Sequence, residues 1–74
     1  MVVTFYGRLA EIFGCEREVG EVATLGALRA ALGAIDPAIL RPGVRGAVDD
    51  AFLPDDTPIG PGQRIEFLSP LSGG

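Results

Sequence analysis

The chain has 74 residues, a formal net charge of −4 and 47% hydrophobic residues. That length makes one small domain, near the lower limit at which a core alone holds a fold. One cysteine excludes an internal disulfide scaffold, and no apolar run approaches the ~20 residues of a membrane helix. The acidic balance, with no basic cluster, argues against nucleic acid, whose phosphates demand Lys and Arg. Histidine is absent, and with it the commonest general base and metal ligand. All six cationic residues are arginine. The start, Met1 to Phe5, carries no basic leader, so a cytoplasmic protein is expected.

Val2-Val3-Thr4-Phe5-Tyr6 is β-branched and aromatic and predicts a strand, with Val3 and Phe5 on one face and Val2, Thr4 and Tyr6 on the other. Leu9, Ile12 and Phe13 then share one face of a short helix closed by Gly14. Glu16 to Val22 predicts a second, weaker strand interrupted by Gly20. Thr24 is an N-cap, Leu25, Leu28 and Leu32 lie along one helical face, and Gly33 supplies the stop. Ala34 to Gly43, with Pro37 and Pro42, is a connection with a helical turn over Ala38 to Leu40.

Arg45 to Val48 and Ala51 to Leu53 flank Asp49-Asp50 and predict a hairpin. Asp55 to Pro58 and Gly60-Pro61-Gly62 are turn chemistry. In Gly60-Pro61-Gly62 neither a Gly-Lys-Ser/Thr ending nor a following helix marks a phosphate loop. The adjacent carboxylates Asp55-Asp56 read as solvated turn formers rather than metal ligands. Arg64 to Leu68 is the last strand, with Ile65 and Phe67 facing one way and Arg64, Glu66 and Leu68 the other.

One long helix is too little to cover both faces of a sheet, so the expected α+β architecture is a mixed sheet of about five strands wrapping one helix, the ubiquitin-like β-grasp. In that arrangement the first and last strands are central and parallel, and Tyr6 and Leu68 end at the same edge. With Phe52 of the hairpin they are expected to form an exposed apolar patch of the kind that marks a partner site. Residues 1–68 form the domain and 69–74 a tail ending in Gly73-Gly74. Two residues without Cβ make that end thin and conformationally free, suited to a narrow enzyme channel in which the free α-carboxylate of Gly74 reacts. The lack of lysine removes amines that would capture such a carboxylate once activated, although GC-rich coding also yields arginine in place of lysine. Cys15, beside Glu16, lacks the electropositive setting of a reactive thiol and reads as an ordinary small residue.

Phe5-Tyr6-Gly7-Arg8-Leu9-Ala10-Glu11-Ile12-Phe13-Gly14, Thr24 to Arg29, Asp56-Thr57-Pro58-Ile59, Gly62 and Ile65 to Gly74 together resemble the MoaD/ThiS family of ubiquitin-like sulfur carriers. Pro70 two residues before Ser72-Gly73-Gly74 resembles the molybdopterin branch, the small subunit of molybdopterin synthase. Asp49, where the family often has Asn, and Ser69, where it often has a second proline, are departures. The resemblance implies that an adenylating, ubiquitin-activating-like enzyme spends ATP to convert the Gly74 carboxylate to an acyl-adenylate. It implies that sulfur then replaces the adenylate as a thiocarboxylate, which is donated to cyclic pyranopterin monophosphate in the large synthase subunit. A heterotetramer of two carriers on a large-subunit dimer is implied, with no cofactor or metal bound by the carrier itself, no catalysis by it alone, and no membrane or nucleic-acid partner. Gly74 would be the reacting residue, Gly73, Ser72 and Pro70 the tail, and Tyr6, Phe52 and Leu68 the docking residues. The alternatives are a thiazole-synthesis sulfur carrier, a ubiquitin-like protein modifier, or a β-grasp interaction module whose glycines are incidental.

Overall fold

The computed structural model describes residues 1–69; the expectations placed on Pro70, Leu71, Ser72, Gly73 and Gly74 lie outside the described residues. In chain order the elements are β1 (Val2–Phe5), α1 (Arg8–Phe13), β2 (Glu16–Glu18), α2 (Leu25–Gly33), a 3₁₀ turn (Pro37–Leu40), β3 (Arg45–Val48), β4 (Ala51–Phe52) and β5 (Ile65–Leu68). The sheet order is β2-β1-β5-β3-β4. β1 and β5 run parallel with Phe5 opposite Phe67, and every other pairing is antiparallel. This is the expected β-grasp.

Alternation along the strands decides which side chains enter the core. Val3 and Phe5 of β1, Ile65 and Phe67 of β5 and Val48 of β3 are buried against Leu25, Leu28 and Leu32 of α2 and Leu9 and Phe13 of α1. Phe5 stacks on Phe13 at 4.9 Å and on Phe67 at 6.2 Å between ring centroids. Each fully buried side chain of this size contributes roughly 1.5–3 kcal/mol. Gly46, on the same inner face, brings β3 close to the helix: a Cβ there would sit 2.8 Å from Leu25 Cδ2 and 3.1 Å from Phe67 Cε1. Gly46→Val is therefore expected to cost about 1–3 kcal/mol by overpacking, read as a lowered midpoint in urea with an unchanged slope.

The start of α2 shows how distant segments satisfy a helix's orphan amides. Leu25 N donates to Thr57 O at 3.0 Å and Gly26 N to Asp55 O at 2.8 Å. Ala27 N donates to Thr24 Oγ1 at 3.1 Å, the predicted N-cap. The segment 55–57 lies this close because Gly26 has no Cβ; one built there would be 2.9 Å from Asp55 Cβ.

Several boundaries differ from expectation. β2 stops at Glu18 because its partner β1 offers only Val2 to Thr4, after which Val19 and Val22 turn inward to pack against the core. β1, β4 and β5 are each one residue shorter than predicted. The missing residues still bond the sheet, through Tyr6 N to Phe67 O and Leu53 N to Gly46 O and Arg64 N to Asp49 Oδ1. Ile12 is 37% exposed, because α1 is too short to turn more than Leu9 and Phe13 inward. Gly33 is the last residue of α2 rather than a left-handed stop, and its bare Cα accommodates Leu40. The 3₁₀ turn begins at Pro37, one residue before the predicted turn, and is capped by Asp36 accepting from Ala38 N at 2.9 Å. The hairpin between β3 and β4 is confirmed, with Asp49 and Asp50 at φ 50° and 72°, the left-handed pair a two-residue hairpin demands.

Candidate functional site

The sheet face turned away from α2 is where the predicted docking residues fall. Phe5 opposite Phe67 sets Tyr6 beside Leu68, and Arg45 of β3 lies directly across Leu68. One step back, Thr4, Glu66, Ala47 and Phe52 form the neighbouring row across four strands. Tyr6 is 45% and Phe52 50% exposed, and Leu68 is half-buried. All three share this face, at the end of β5 from which the chain continues through Ser69.

The patch is less apolar than expected. The Arg45 guanidinium lies 4.2 Å over the Phe52 ring centroid, a cation–π contact that places a charge between Phe52 and Leu68. The Tyr6 hydroxyl donates to Glu66 Oε2. Arg45 and Glu66 belong to the surface as much as the three residues named from the sequence. Counting back from the Asp49-Asp50 turn sets Arg45 on the face of Ala47, which pairs with Phe52, whereas its place across from Leu68 comes from the β3–β5 register.

Several carboxylates of the domain make structural bonds. Asp49 caps Arg64 N, Asp50 pairs with Arg64 Nη1 at 3.3 Å, and Asp55 pairs with Arg29 at 3.2 Å. Among the described residues no group of three or more His, Cys, Asp or Glu side chains could hold a metal ion. Cys15 is exposed. The face presents contacts and charge, with the Tyr6 phenol held on the Glu66 carboxylate.

Tyr6 has its phenol raised above the ordinary value of 10.0, first by the hydrogen bond to Glu66, then by desolvation and by the Glu66 charge. Only the protonated phenol can donate. The contact is thus complete below about pH 10 and is lost as pH rises through the raised value. Tyr6 is the one tyrosine and there is no tryptophan, so phenolate absorbance reports it alone. Glu66→Gln is expected to shift that titration down toward the ordinary value; an unmoved midpoint would deny the bond.

A family model, the ThiS family, matches residues 3–74. The chain belongs to the ThiS family. Among solved structures, SAMP1 from Haloferax volcanii superposes with a TM-score of 0.73 at 21% identity, covering 99% of this chain and 97% of that one. A second structure of H. volcanii small archaeal modifier protein 1 gives 0.72 at 18% identity, covering 95% of each chain. A proposed molybdopterin converting factor, subunit 1, from Pyrococcus furiosus gives 0.74 at 17% identity, again covering 95% of each. These likenesses establish the ubiquitin-like β-grasp fold. No curated protein matches the chain by sequence. Among the described residues no helix is long and apolar enough to cross a membrane.

Proposed function

We propose that the chain is the sulfur carrier of molybdopterin synthesis, the small subunit that docks on a large synthase subunit and presents Gly74 as a thiocarboxylate. The observation that carries this reading is the parallel β1–β5 pair. It sends the chain out of the sheet beside an exposed face holding Tyr6, Leu68 and Phe52. From Ser69 to Gly74 is six residues, a reach of about 20 Å when extended, enough to enter a channel while the domain stays outside. Pro70 limits the ordering entropy of that segment because its φ is already set. The chain has no histidine, the commonest general base, which supports assigning ATP-dependent adenylation and sulfur delivery to partner enzymes.

Intact-mass spectrometry after incubation with ATP, the adenylating enzyme and a sulfur donor should show one oxygen-to-sulfur exchange. The absence of any exchange would sink the carrier reading. Leu68→Asp is expected to weaken binding to the large subunit by at least about tenfold, since it sets an unpaired charge in a buried contact, while leaving the circular dichroism spectrum unchanged. Equal affinity would remove Leu68 from the interface.

The likeness to small archaeal modifier proteins favours one second reading, a ubiquitin-like modifier that joins Gly74 to protein amines. Complementation of a strain lacking the molybdopterin carrier separates the two, because a dedicated modifier does not restore the cofactor.

A further inference from the structure

We propose that the outer sheet face along β1 is a docking groove for an extended, basic segment of a partner protein, seated over Thr4 between Glu16 and Glu66. Both helices pack on the opposite face, against the inward residues of β1 and β5. Register builds the groove. Thr4 pairs with Glu16 on one side and with Glu66 on the other, so one short side chain is flanked by two that end in carboxylates. Adjacent strands lie about 4.8 Å apart, which sets the roots of Glu16 and Glu66 roughly 10 Å from each other. Val2 and Tyr6 continue the floor along β1 and are 48% and 45% exposed. The hollow has a volume of about 790 Å³ and extends to the Asp49-Asp50 turn and Arg64. A volume of that order takes a drug-sized ligand or a peptide segment rather than one ion.

Charge selects the occupant. The lining carries four carboxylates, on Glu16, Asp49, Asp50 and Glu66, against the guanidinium of Arg64. Arg64 is already on Asp50 at 3.3 Å, Asp49 caps Arg64 N, and the Met1 ammonium at the rim is on Glu18 at 2.7 Å. Among the described residues Glu16 and Glu66 pair with no cation, and Glu66 holds only the Tyr6 hydroxyl. An arginine laid over Thr4 reaches both with its planar fork of donors, and its aliphatic stem covers Val2 or Tyr6. A segment with Arg or Lys at every second position turns those side chains onto the face together. The same charges disfavour other occupants. A second copy would set like charges face to face, and a nucleic acid or an anionic membrane would meet four carboxylates. Among the described residues no group of three or more His, Cys, Asp or Glu could hold a metal ion.

The probe is the acetylated, amidated peptide Arg-Thr-Arg-Thr-Arg, titrated into the isotope-labelled full chain and followed by backbone amide NMR shifts. Saturable shifts are expected in β1, β2 and residues 62–66, and none in α2. The Glu16→Gln/Glu66→Gln chain is expected to bind at least about fivefold more weakly, the scale of two surface ion pairs, with its circular dichroism unchanged. Glu11→Gln/Glu21→Gln removes the same charge outside the groove and should stay within about twofold of wild type. Absence of saturable binding, shifts spread over the whole acidic surface, or equal weakening of the two double variants overturns the proposal. Shifts at the groove residues on diluting the chain alone would give the face to a second copy and overturn it as well. Because the ligand is a synthetic peptide, the outcome is independent of whether Gly74 is ever activated, which the sulfur-exchange experiment decides separately.

Discussion

Arg29→Ala is expected to destabilise the domain by about 2–4 kcal/mol, the cost of removing hydrogen bonds from a charged donor to part-buried carbonyls. Arg29 leaves the middle of α2, is 15% exposed, and donates through Nη1 to Ile39 O at 3.1 Å and Val44 O at 2.9 Å. The same guanidinium pairs with Asp55 and lies 5.3 Å over the Phe67 ring. One side chain thus ties the helix to the 3₁₀ turn, to the residue before β3 and to the segment that caps α2. The Asp55 contact is half-exposed and adds little. The two carbonyls, left without a donor, account for most of the loss. For a domain of this size the melting temperature should fall by roughly 10 °C or more. Arg29→Lys should recover less than half of that, because a point charge cannot serve two carbonyls and a carboxylate as the planar fork does. A fall of less than about 3 °C for Arg29→Ala would show that the connection holds itself.

Removing Gly74, or adding one residue after it, is expected to abolish sulfur loading, by more than about 100-fold, while leaving the melting temperature unchanged. Only a free carboxylate can attack ATP to form an acyl-adenylate, and a peptide amide in its place has no such oxygen nucleophile. Displacing the carboxylate by one residue also moves the reacting carbon by about 3.5 Å, far outside the tolerance of a positioned active site. Stability should not respond, because Phe67 is the last core residue among the described residues. Sulfur incorporation and thermal melts on the same samples provide the test. Loading that survives the extension would transfer the chemistry away from Gly74 and revive the reading of a surface-binding module.

Much of the fold was legible because its signals are local. Alternation in β1 and β5 named Val3, Phe5, Ile65 and Phe67 as core, and spacing in α2 named Leu25, Leu28 and Leu32; all seven are buried. Thr24 was readable as a cap because Ser and Thr accept from a nearby amide wherever a helix begins. Arg29 was not readable, since its partners are carbonyls 10 and 15 residues away and a helix arginine ordinarily points to solvent. Ile12 misled because helical spacing does not say how many turns the neighbouring sheet can cover.

The same division runs through the candidate site. Parity along β1 and β5, a property of the chain itself, placed Tyr6 and Leu68 outside the core, the hairpin reading added Phe52, and the composition left the domain without histidine or lysine. Strand register lies beyond local pattern, because it is settled by which inner faces interdigitate around α2. That packing put Arg45 against Phe52, joined Tyr6 to Glu66, and drew 55–57 over the start of the helix. The sequence by itself determined which residues could face a partner and what chemistry the domain lacks. Only the tertiary structure decided which charges stand among those residues, because a register is a contact between distant segments and has no local signature.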